Sequence, residues 1–176
     1  MAERKTASRT APRTDPQRIL AHLFTPRRVV AKALPDEAID RLEQAIAAAE
    51  SGSSGQLRLV VEARWPLAHV RWQTPRARAL DWFSRIRVWD TEHNNGVLIY
   101  LLFAEHDVEI LADRGFNGRV STADWEAICS RMETAFAEGQ FETGLTEGIA
   151  AIGELMRRHF PAEGNANEQP DRPILA

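Results

Sequence analysis

Asp90, Asn94, Asn95 and Gly96 stand immediately before one apolar run, and Asp113, Arg114 and Gly115 stand immediately after another. Two carboxylates, two carboxamide oxygens and nearby backbone carbonyls form an all-oxygen donor set. That set suits a hard cation, Ca²⁺ or Mg²⁺. Arg114 and Gly115, with the N-terminus of the helix that follows them, suit a phosphate, because a guanidinium and free backbone N–H groups donate to phosphate oxygens. Metal ligands at Asp90, Asn94, Asn95 and Asp113 with an anion on Arg114 and Gly115 would make a metal-and-phosphate clamp, one way to hydrolyse a phosphomonoester. No side chain is marked as the nucleophile, so catalytic roles stay unassigned. The competing reading is structural. Asp and Asn before a strand close turns onto their own backbone, and Asp-Arg-Gly after a strand makes a turn with an exposed ion pair.

Glu62 ends a third apolar stretch and is a possible second cation position. A parallel arrangement of its strand and the next would put it at the opposite edge of the sheet from Asp113. The remaining reactive types point elsewhere. His93 and His106 have no partner at metal-ligand spacing, and His106 reads as a turn residue. The lone Cys129 excludes an internal disulfide and any zinc site needing two thiolates, and reads as a core filler. The segment Gly52-Ser53-Ser54-Gly55 lacks the spacing and lysine of a phosphate loop and precedes a strand. No organic cofactor is expected.

Between positions 64 and 89, six arginines (64, 71, 76, 78, 85 and 87) interleave with Trp65, Trp72, Trp82 and Trp89. Nucleic acid is not the expected partner, since the net charge is −3 and no basic field develops. Solvated arginines on an amphipathic helix with tryptophans filling core and loop are the simplest account. The alternative function is a non-catalytic protein-interaction module using this Trp/Arg-rich surface, because both types are enriched at interaction hot spots.

These residues need a scaffold. With 176 residues, 44% hydrophobic and 27% charged, the chain is ordinary globular material for one domain. The predicted layout is a basic disordered tail over 1–16, a single α/β domain over 17–161 and a flexible exit over 162–176. A short helix is expected from position 16 to 24. A longer one follows over 35–50, opened by Pro35, Asp36 and Glu37 and stopped at the glycine-serine stretch. Strands are expected over 57–63, with one face the more buried, over 97–104 as an interior strand, and over 108–112. The last two form an antiparallel hairpin across Glu105-His106-Asp107. Residues 65–74 read as loop. A helix over 75–89 places Leu80, Phe83, Ile86 and Trp89 on its apolar face. Ser121 and Asp124 form a capping box for a further helix ended by Gly139, and a last one runs from Phe141 to Phe160. The order predicts a mixed sheet with helices on both faces. No apolar run reaches the roughly 20 residues of a membrane-spanning helix, and no apolar leader opens the chain, so a cytoplasmic protein without a membrane segment is expected.

The run from Val88 to Tyr100, the stretch Val108-Glu109-Ile110-Leu111-Ala112-Asp113-Arg114-Gly115, and Trp125, Met132 and Phe136 followed by Gly139-Gln140-Phe141-Glu142-Thr143-Gly144-Leu145 resemble the TPM domain family. Ala47 to Glu50 leading into Gly55-Gln56-Leu57-Arg58-Leu59 continues the likeness upstream. The resemblance covers residues 30 to 161. It implies a Rossmann-like α/β sandwich. It also implies divalent-cation binding, calcium above all, or acid-phosphatase activity of the kind ascribed to some relatives. Longer members carry a secretory signal and a C-terminal membrane helix, so this chain resembles the short, soluble bacterial type.

Overall fold

A computed structural model describes residues 16–162 and 167–176. The expected basic tail lies outside the described residues up to position 15. The elements, in chain order, are α1 (Pro16–Phe24), α2 (Arg27–Ala33), α3 (Asp36–Glu50), β1 (Gln56–Glu62), α4 (Leu67–Val70), α5 (Pro75–Arg85), β2 (Gly96–Leu102), β3 (Asp107–Ala112), α6 (Thr122–Ala137), α7 (Phe141–His159) and β4 (Ile174–Leu175). Short 3-10 turns over Phe103–Glu105 and Arg114–Phe116 flank β3.

The strands form one mixed sheet in the order β3-β2-β1-β4. β1 pairs parallel with β2, Gln56 opposite Gly96 and Glu62 opposite Leu102. β2 and β3 form the expected antiparallel hairpin, with Val97 opposite Ala112. Its turn passes through His106 in the left-handed region, φ 51°. Leu57, Leu59, Val61, Val97, Ile99 and Leu101 face α3, α6 and α7, while Val60, Leu98, Tyr100 and Leu102 face α5 with Trp65 and Val70. The molecule is therefore a three-layer α/β sandwich. Helices on both faces bury every residue of β1, including Arg58 and Glu62. The expectation of one more exposed face on this strand does not hold, because Arg78 of α5 and the loop after β1 cover Glu62 and the C-terminal segment at Pro170 covers Arg58.

Three further differences have local causes. The helix expected over 75–89 stops at Arg85: Ile86 leaves helical geometry and Arg87 takes φ 53°. Trp89 consequently lies off the helix and half exposed, and the buried face is Ala79, Trp82 and Phe83, with Leu80 on the outside. The stretch 65–74 holds the single turn α4. The flexible exit expected over 162–176 is replaced, over the described residues 167–176, by a return to the sheet. Gln56 Oε1 accepts from the backbone N–H groups of Glu168 and Gln169, both at 2.8 Å. Ile174 and Leu175 then pair parallel with Val60 and Val61. A two-residue strand carries no periodic signal of its own.

Candidate functional site

Parallel pairing of β1 and β2 gives the sheet two chemically different ends. Asn95, Gly96 and Asp113 lie at the end where β1 and β2 begin. Glu62 lies at the end where they finish, so it is remote from Asp113, as parallel strands require.

At the first end the loop 88–95 sits directly on the hairpin. Two glycines permit this. A Cβ on Gly96 would come within 1.9 Å of the Val88 carbonyl oxygen, and one on Gly115 within 2.5 Å of the Asn94 oxygen and 2.8 Å of the His93 oxygen. Asn94 turns the chain with φ 54°. The Asp113 N–H donates to Gly96 O at 2.9 Å, and the Gly115 N–H donates to Asn94 O at 2.8 Å. The structure thus joins Asn94, Asn95, Asp113, Arg114 and Gly115 in one place. It leaves Asp90 outside: that residue is exposed, and its backbone N–H donates to Arg87 O.

Much of this polarity is spent inside the loops. The Asn94 side-chain oxygen accepts from Arg114 Nε at 2.8 Å, so a guanidinium already occupies it. Gly115 has no N–H to offer an anion. Asp113 Oδ1 caps the following 3-10 turn by accepting from the Arg114 N–H at 2.7 Å. The N-terminus of α6 is closed by the capping box of Ser121 and Asp124, and Asp124 places a carboxylate where a phosphate would otherwise be favoured. Two oxygens remain: Asn95 Oδ1 and Asp113 Oδ2 are buried with no hydrogen-bond partner among the described residues. Asn95 is held rigidly, its N–H on Thr91 Oγ1 and its Nδ2 on Ser54 Oγ, both at 3.0 Å. Buried polar atoms seldom go unpaired without a reason. Among the described residues no three His, Cys, Asp or Glu side chains converge as a metal cluster. The oxygens this edge leaves unpaired among the described residues are therefore one carboxylate oxygen and one carboxamide oxygen.

At the other end, the Glu62 carboxylate, the possible second cation position, is surrounded by hydrogen-bond donors. Arg78 binds it in bidentate fashion at 2.8 and 2.6 Å, Tyr100 OH donates at 2.6 Å, and the indole N–H groups of Trp65 and Trp82 point at the same Oε2 at 3.2 and 3.4 Å. Burial pushes the Glu62 carboxyl upward, but the hydrogen bonds from Arg78 and Tyr100 outweigh it and hold the group below the usual carboxylate range. Tyr100, buried and facing that carboxylate, is pushed well above its ordinary value. Sequence reasoning missed this network, since its members come from β1, β2, α5 and the loop after β1. Trp65 and Trp82 are buried in it, whereas Trp72 and Trp89 are exposed.

Comparison with known proteins follows the same lines. The model of the TPM domain matches residues 29–155. The NMR structure of BA42 protein from the psychrophilic bacterium Bizionia argentinensis superposes with a TM-score of 0.72 at 28% identity, covering 81% of this chain and 95% of that one. No curated protein matches the chain.

Proposed function

The chain belongs to the TPM domain family, and from that premise we propose that the edge carrying Asn95 and Asp113 binds a divalent cation, calcium in preference to zinc. The observation that carries the reading is the pair of buried, unpartnered oxygens, Asn95 Oδ1 and Asp113 Oδ2. Oxygen donors select hard ions. A single buried carboxylate leaves much of the shell to water, so affinity is modest, on the order of 10⁻⁴ M. A bound cation would supply Lewis acidity for a weak phosphomonoesterase activity, with the exposed Arg114 guanidinium holding the phosphate.

The test is a thermal melt with and without calcium. At a hundredfold excess over the dissociation constant the folded state gains about 2.7 kcal/mol, a rise of several degrees. Asp113→Asn keeps a cap acceptor for the Arg114 N–H and removes the charge, so the rise should vanish while the metal-free melt stays near wild type. A wild-type melt indifferent to calcium returns this edge to a plain turn. Hydrolysis of an aryl phosphate at the same rate by wild type and Asp113→Asn would overturn the phosphatase reading alone. A second reading rests on Trp72, 79% exposed, and Trp89, 48% exposed: a non-catalytic interaction surface. It predicts no turnover, and a partner that binds wild type but not the Trp72→Ala, Trp89→Ala double variant.

A further inference from the structure

Beyond the carboxyl ends of β1 and β4 the structure opens into a cleft of about 790 Å³. Small-molecule sites span roughly 300–1,000 Å³. Open α/β sheets bind ligands outside the carboxyl ends of their strands, where the chain leads away in opposite directions. The chain leaves β1 toward β2, and β4, the parallel neighbour on the other side of β1, ends at the same cleft.

The charge of the cleft is one-sided. Four arginines, Arg27, Arg64, Arg78 and Arg85, face the Glu62 side chain and the α-carboxylate of Ala176, so cations outnumber anions. Arg78 and Glu62 neutralise each other at 2.6 Å. Arg27, Arg64 and Arg85 have no ion-pair partner among the described residues. Two of them are braced: Arg64 Nη1 donates to the His22 carbonyl at 3.2 Å, and the Arg85 guanidinium lies over the Trp82 ring at 5.2 Å. Bracing lowers the entropy lost when a guanidinium takes up an anion. The rim is apolar, with Leu23 and Leu67 nearly half exposed.

We propose that this cleft binds a small organic anion, its phosphate or carboxylate head among Arg27, Arg64 and Arg85 and its apolar body against Leu23 and Leu67. The site lies at the opposite end of the sheet from the Asp113 edge and stands independently of the cation reading.

Phenylphosphonate, benzoate and neutral benzyl alcohol are suitable probes, titrated in EDTA so that no divalent cation takes part. Calorimetry supplies the affinity. The indole N–H resonances of Trp65 and Trp82, both hydrogen-bonded to Glu62, report the place. Either anion should saturate with shifts at those two resonances, and benzyl alcohol should not. Arg27→Ala and Arg85→Ala should each weaken binding about tenfold, the size expected for one charge-assisted hydrogen bond. Asp113→Asn should leave the titration unchanged. Tighter phenylphosphonate assigns the natural ligand to the phosphates, and equal or tighter benzoate to the carboxylates. Failure of both anions to saturate by about 10 mM, a free energy weaker than roughly −3 kcal/mol, overturns the proposal. So does binding of benzyl alcohol with equal strength, or arginine variants that bind as wild type does.

Discussion

Glu50 is a residue whose titration the fold alters strongly. It closes α3 at 1% exposure and accepts the Leu57 N–H at 2.6 Å. Burial, assisted by the nearby Asp171 charge, pushes its carboxyl up to about 8 from an ordinary 4.5. In the unfolded chain the group ionises near 4.5 and in the fold it stays protonated, so the unfolded state releases its proton first as pH rises. Stability from this group is fully present below 4.5, declines across the window between 4.5 and about 8, and is lost above it. Glu50→Gln keeps an acceptor for Leu57 and cannot ionise. Urea unfolding at pH 5 and at pH 8.5 should show wild type weakening at the higher pH and the variant holding its stability. A parallel decline in both would assign the pH dependence to other groups.

Elements differ in how far their residues announce them. The start of α6 is legible because it is local: Ser121 Oγ accepts the Asp124 N–H at 3.2 Å, and Asp124 Oδ2 accepts the Ser121 N–H at 3.1 Å, all within four residues. Ser121→Ala should cost about 1 kcal/mol, the usual worth of an N-cap, read as a lower midpoint in chemical unfolding with unchanged slope. The hairpin is legible for the same reason. The end of α5 is less so, because Ile86 and Trp89 continue a helical spacing that the backbone abandons at Arg87. The neighbourhood of Asn95 and Asp113 follows from the hairpin alone. That Asn94 and Gly115 are consumed by loop contacts does not, since type and spacing do not reveal which donor meets which acceptor. The arginine cleft is illegible for a further reason. Arg27, Glu62, Arg64 and Arg85 meet only because α2, β1 and α5 converge at one end of the sheet.

At the scale of the whole molecule, Gln56 is one of several side chains that tie the last segment to the sheet, together with Arg58 on Pro170 and Gln169 on Arg87. Gln56 Oε1 receives two backbone donors from 168 and 169, and beyond them the Ala63 N–H donates to Ala176 O at 3.0 Å. Gln56→Ala should therefore accelerate hydrogen exchange at Ala63 while leaving amides of the β2–β3 hairpin protected. Equal protection at Ala63 in both proteins would show that β4 holds without that anchor. The packing of α7 on α3 has a consequence of another kind. Gly153 lies so close to Ala49 that a Cβ would approach its Cα within 2.8 Å, and Arg157 reaches the Ala49 carbonyl across 108 positions of chain. During synthesis Ile39, Leu42 and Ile46 leave the ribosome long before the helix that covers them. Apolar surface left without its partner is prone to association. The apolar face of α3 is thus covered only once α7, a distant part of the chain, has been made and has docked on it.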